Sequence, residues 1–126
     1  MGRLFTANGV SYGPTGLAPA GQLIYDVVFR LTKGYPFNMT VTRAWDGDRH
    51  RSSAHGRGEA LDFRSLHLTP AQKASVLADI QGALYVSPRR FHAFLACPSA
   101  RNEHLHVQVR DGLADLTPAD LADLPN

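Results

Sequence analysis

The chain has a single cysteine, Cys97, among 126 residues. One cysteine excludes an intramolecular disulfide framework and leaves the redox compartment open. No apolar stretch approaches the ~20 residues needed to cross a bilayer, so no membrane partner is expected. The first eight residues, Met-Gly-Arg-Leu-Phe-Thr-Ala-Asn, hold no apolar run long enough for a secretion signal. The chain is therefore expected to be made in the cytoplasm, and to need another agent to carry it outside. An excess of one charge is also lacking, the net value being +2 with histidines neutral. The arginines cluster modestly between Arg43 and Arg57, a local excess that suits an acidic ligand. No basic helix or aromatic-rich stacking surface accompanies them, so a nucleic-acid partner is not expected. Internal repeats and low-complexity tracts are absent as well.

What remains is an ordinary globular composition, long enough for one domain with its own core, so metal is not required to hold the fold together. Residues 1–17, rich in Gly, Ser, Thr and Pro, read as an N-terminal arm or loop, and 18–126 as the domain. Leu23, Ile24, Val27, Val28 and Leu31 recur at helical spacing between Pro19 and Lys33, with Gly34 and Pro36 as the stop. Met39 to Ala44 alternates as a strand. Trp45 to Gly58 has no periodicity and reads as a long loop of the kind that carries function, with Trp45 as core or loop anchor. Ala60 to Arg64 reads as a strand, and Thr69-Pro70 opens a helix to about Leu84, striped by Val76, Leu77, Ile80 and Leu84. Phe91 to Leu95 and His104 to Arg110 read as strands, and Thr117-Pro118 as the start of a short last helix. This order predicts an α+β fold: a small antiparallel or mixed sheet with helices packed on one side.

Strand alternation then singles out a second face. If Leu61 and Phe63 point into the core, Asp62 points away; if Leu105, Val107 and Val109 point inward, His104, His106 and Gln108 do not. His55 stands seven residues before Asp62 at the end of the long loop, and Gly58 permits the tight turn that lets both reach one ion. Two histidines and a carboxylate make a catalytic zinc site, because three protein ligands leave the fourth position open to water. Glu103, three residues before His106, is the natural candidate for the base. Six His and eleven acidic residues produce such triads by chance, and His55 or His104 alone would read as a solvated polar residue. His67 and His92 stand in no motif. Cys97, beside Pro98, reads as an inert thiol, and Ser53 as a hydroxyl that orders the turn.

Specificity comes from the strings. Ser53 to Asp62 reads S-x-H-x-x-G-x-A-x-D, and Glu103 to His106 reads E-H-x-H. Together they resemble the D-alanyl-D-alanine carboxypeptidase and L-alanyl-D-glutamate endopeptidase family of zinc enzymes. That family includes many phage endolysins and shares its fold with the hedgehog signalling domain. The resemblance spans about Gln22 to Arg110. It implies one zinc on His55, Asp62 and His106, Glu103 as general base and His104 as an auxiliary catalytic group. It also implies a peptidoglycan peptide as substrate. The protein would be a phage or prophage product acting on the cell wall after lysis or from a virion, with virion components as partners. The segment Val41 to His50 resembles instead the stretch before the zinc site of the hedgehog domain. Asp46 stands nearest the position where the cell-wall enzymes carry a substrate-gripping Arg; Arg43, Arg49 and Arg51 are candidates for that role, with His50 and Ser53 beside them. Asp46 and Asp48 match hedgehog calcium positions, but Arg43 replaces an expected acid, so calcium is not expected. Two rival functions follow: a non-catalytic hedgehog-like zinc domain serving structure or protein interaction, and an intracellular hydrolase of small D-amino-acid dipeptides.

Overall fold

In the computed structural model, which describes residues 1–47, 53–84 and 90–110, seven elements follow one another. They are β1 (Leu4–Thr6), α1 (Pro19–Thr32), β2 (Met39–Arg43), β3 (Ala60–Arg64), α2 (Pro70–Ala83), β4 (Phe91–Ala96) and β5 (His104–Val109). The strands form one sheet in the order β1-β2-β3-β5-β4; β1 runs parallel to β2 and the remaining pairs are antiparallel. This is the mixed sheet of a small α+β fold. The helix expected from Thr117 lies outside the described residues.

Each helix begins where its sequence signals it. Pro19 occupies the first turn of α1, where its missing N–H costs nothing. Thr69 caps α2 in a reciprocal box: its hydroxyl accepts from Gln72 N–H, and the Gln72 side chain accepts from Thr69 N–H. Ala20, Ile24, Val27 and Val28 of α1 and Val76 and Ile80 of α2 are buried against Leu61, Phe63, Leu105, Val107 and Val109 in one core. A fully buried aliphatic or aromatic side chain contributes ~1.5–3 kcal/mol, so this layer is a main source of the fold's stability.

One expectation needs correcting. Residues 1–17 are not wholly an arm, because Leu4–Thr6 pairs with Met39–Val41 as an edge strand. Gly2 is the reason the chain can enter there: a Cβ on it would stand 2.0 Å from the Phe37 carbonyl oxygen. Elsewhere the pairing register shifts between Val41 and Arg43, so that Arg43 rather than Thr42 lies opposite Asp62. Such a bulge re-aims a side chain beside a site.

Candidate metal centre

The face of the sheet opposite the core collects the polar residues. Asp62 and His106 lie directly across from one another on β3 and β5, and Arg64 and His104 form the next pair along that same face. His55 arrives from a turn built of backbone bonds. The Ser53 hydroxyl accepts from Gly56 N–H at 3.0 Å, Gly58 N–H donates to the His55 carbonyl at 3.1 Å, and Glu59 N–H donates to that of Ala54 at 2.9 Å. Gly58 takes φ of +71°, the left-handed turn its place in the motif calls for. Its carbonyl accepts from Ala18 N–H at 3.2 Å, which fixes the turn to the start of α1.

Around Asp62 the geometry poses a charge problem. Its Oδ1 lies 3.0 Å from His55 Nε2 and 2.7 Å from His106 Nδ1, and all three residues are largely withdrawn from solvent. The other nitrogen of each ring is already committed. His55 Nδ1 lies 2.7 Å from the Ala44 carbonyl, which only accepts, so that nitrogen carries a proton. His106 Nε2 lies 2.8 Å from Gln108 Oε1, and the Gln108 amide nitrogen donates to the Val109 carbonyl, which fixes the amide orientation and puts a proton on His106 Nε2 as well. With neutral rings, two lone pairs therefore converge on an acceptor-only carboxylate oxygen. Only positive charge between them resolves this, as protons or as a metal ion. Burial alone would raise the Asp62 carboxyl, but the bonds from His106 and His55 outweigh it and hold it well below the usual carboxylate range. Burial disfavours the His106 cation, yet Asp62 and Gln108 raise its pKa above the ordinary value.

The donor set fits zinc. One donor atom from each of His55, Asp62 and His106 lies within 4.8 Å of the others. Two zinc–ligand bonds of ~2.0–2.1 Å at a tetrahedral angle separate their donors by about 3.4 Å, a value inside the observed spread. The Ala44 carbonyl and Gln108 amide are the outer partners that metal-binding imidazoles require to fix tautomer and ring orientation. Three such donors would leave one position of a tetrahedral ion free.

The other expected residues are placed as follows. His104 stands at the rim, its Nε2 3.5 Å from Asp62 Oδ2 and its Nδ1 2.8 Å from the Asn102 carbonyl. Glu103 lines the same cavity as Asp62 and His104 but is engaged there by other partners. It stands just before β5, where its carboxylate meets Lys73 Nζ of α2 at 3.0 and 2.7 Å, Ser65 Oγ at 2.6 Å and Ser99 N–H at 3.1 Å. The Lys73 ammonium, then Ser65 and the Ser99 amide, draw its pKa down to about 2. Arg43 makes a bidentate pair with Asp46. Ser53 orders the turn through its hydroxyl, as expected. Arg49, His50, Arg51 and Asp48 lie outside the described residues. His67 bonds the Asn38 carbonyl far along the chain, and His92 stacks on Phe94. Trp45 lies against Gly13 and donates its backbone N–H to Ser11, a loop anchor. Cys97 is exposed in a turn at φ of +50°.

Four participants escaped the sequence: Gln108 as outer partner, the Ala44 carbonyl, and two further arginines on the site side, Arg64 and Arg101. Alternation along β3 and β5 marks Gln108 and Arg64; nothing in side-chain pattern marks a backbone carbonyl or a turn residue. Comparison of the chain with protein-family models, curated proteins and solved structures gives no match. Among the described residues, no helix is long and apolar enough to cross a membrane.

Proposed function

We propose that this chain is a zinc-dependent peptidase that hydrolyses a peptide bond of bacterial peptidoglycan, a carboxypeptidase or an L-alanyl-D-glutamate type endopeptidase of phage or prophage origin. The observation that carries the reading is the convergence of His55 Nε2, His106 Nδ1 and Asp62 Oδ1, with both outer ring nitrogens already donating. The S-x-H-x-x-G-x-A-x-D string supports it, since Ser53 and Gly58 build the turn and His55 and Asp62 enter the cluster. Zinc held there supplies Lewis acidity and a water acidified toward a pKa of ~7.

The protein's own groups then divide the remaining work. His104, half-exposed beside Asp62 and oriented by the Asn102 carbonyl, is the group placed to accept and return a proton on the open side. Glu103, neutralised by Lys73 at the edge of the same cavity, acts here as an anchor of the turn before β5, in place of the base role that the resemblance implies.

A second reading is favoured by that same observation. A site whose motif acid is tied to Lys73 suits a non-catalytic zinc domain of hedgehog type. Zymography on purified peptidoglycan, with and without a chelator, separates the two. Chelator-sensitive clearing supports the peptidase; zinc-loaded protein that leaves peptidoglycan intact supports the binding domain.

A further inference from the structure

β4 ends one side of the sheet, and among the described residues it pairs only with β5. Its backbone groups alternate in where they point. Arg110 N–H donates to the carbonyl of Arg90, the residue just before the strand. With the observed register, the pairs bonded to β5 are therefore His92 with Gln108, Phe94 with His106 and Ala96 with His104. The N–H and C=O groups of Phe91, Ala93 and Leu95 point the other way, out of the sheet's edge. Gln81 of α2 marks that direction, because its side-chain amide donates to the Ala93 carbonyl at 2.8 Å. A carbonyl has two lone pairs, so one remains there.

Exposed edges are normally blunted by a charged side chain, a proline, a bulge or extreme shortness. β4 has none of these. Phe-His-Ala-Phe-Leu-Ala runs six residues without proline, carboxylate, lysine or arginine, and its register against β5 is unbroken. Phe94 is 41% exposed on it. A regular, apolar edge of this kind is a template for another strand.

The strand is complementary to itself. Residues directly opposite in an antiparallel pair share a face, so a two-fold axis between two copies of β4 must pass through a residue. An axis at His92 or Phe94 would bring together groups already bonded to β5. An axis at Ala93 sets Phe91 opposite Leu95 of the other copy and Ala93 opposite its counterpart. Those are the three residues with outward groups, and each outward N–H then meets an outward C=O. On the face that carries the metal centre, His92 falls opposite Phe94, an aromatic pair of the kind that stabilises sheets. On the core face Phe91 meets Leu95 and alanine meets alanine. No carboxylate, ammonium or guanidinium lies in the strand to be repelled by its counterpart.

We infer that two copies of this chain pair antiparallel along β4, joining their five-stranded sheets into one sheet of ten. The axis stands normal to the sheet, so the faces do not exchange and both metal centres lie on the same side.

Sedimentation equilibrium of the full chain, in a reducing buffer that removes any Cys97 cross-link, tests the pairing. The mass is expected to rise reversibly with concentration from one chain to two, and to stop there. Leu95→Pro deletes one outward N–H and no bond to β5. Phe94→Lys puts a charge on the edge at an exposed position and leaves the core alone. Each variant is expected to weaken the dimer at least tenfold, with the far-UV circular dichroism of Phe94→Lys matching the wild type. Amide hydrogen exchange reads the position. In dilute protein the His92, Phe94 and Ala96 amides are expected to be protected and those of Ala93 and Leu95 not; in the dimer all five are. A single-chain mass at roughly millimolar concentration overturns the pairing, as does a mass that climbs past two chains. A dimer equally tight in both variants overturns it as well, and so do Ala93 and Leu95 amides that exchange alike at both concentrations.

Discussion

Gly21, in the first turns of α1, touches the metal centre through one backbone contact, and substituting it gives a graded test of how the site is held. A Cβ built on Gly21 stands 2.0 Å from the Gly58 carbonyl oxygen and 3.0 Å from its carbon. Carbon and oxygen rest near 3.3–3.5 Å apart, so Gly21→Ala forces roughly 1.3 Å of separation between α1 and the His55 turn. The obstacle is backbone and cannot rotate away. It also accepts the Ala18 amide, and the Gly58 amide bonds the His55 carbonyl, so the strain passes directly to a ligand. Overpacking of this kind costs ~1–3 kcal/mol, against ~1 kcal/mol gained from the better helix propensity of alanine. The net expectation is a loss of up to ~2 kcal/mol, with zinc affinity reduced as His55 moves. Gly82 in α2 supplies the control: a Cβ there meets nothing within 4 Å, so Gly82→Ala is expected to be neutral or to stabilise by up to ~1 kcal/mol. Denaturant unfolding of both variants, followed by far-UV circular dichroism, reads the difference. A Gly21→Ala protein as stable as Gly82→Ala, with unaltered zinc affinity, refutes the close approach.

Two further outcomes follow from the same geometry. The folded-state pKa of Glu103 is depressed from 4.5 to about 2, so its contribution to stability is present above pH 4.5 and is lost as pH falls through 2. Glu103→Gln should therefore flatten the acid limb of the stability profile over that window and leave zinc content at neutral pH unchanged; a limb as steep as the wild type's contradicts the Lys73 anchor. His104→Ala should keep zinc and lower hydrolysis of peptidoglycan fragments by ~10²–10⁴-fold, the range for a positioned acid–base group. Steady-state kinetics check this, and unchanged kcat/KM removes His104 from the chemistry.

The helices were legible because local chemistry and tertiary packing agree in them: proline in the first turn, a capping box at Thr69, and one apolar stripe each. Leu4–Thr6 was not, since three residues beside a Gly-rich segment carry no period of their own, and their strand exists through parallel pairing with β2. The grouping of His55, Asp62 and His106 was legible from the two motif strings, with alternation and the Gly58 turn showing how the three could meet. The partners of Glu103 were not legible. The string places an acid three residues before His106, just ahead of β5, and the structure ties that acid to Lys73, Ser65 and Ser99 at the edge of the cavity shared with Asp62 and His104. Alternation marks Arg64, two residues from Asp62. Arg101 and the Ala44 carbonyl have no such signal, because turns and backbone acceptors are placed by the fold rather than by side-chain pattern.

The central claim is that His55, Asp62 and His106 hold one zinc ion. Elemental analysis of protein purified without chelator, then of protein dialysed against zinc at neutral pH, tests it most directly. The wild type is expected to carry one zinc per chain, His55→Ala and His106→Ala none, and His67→Ala and His92→Ala the full amount. A wild-type chain that stays metal-free after dialysis, or one that keeps its zinc without His55 and His106, contradicts the account.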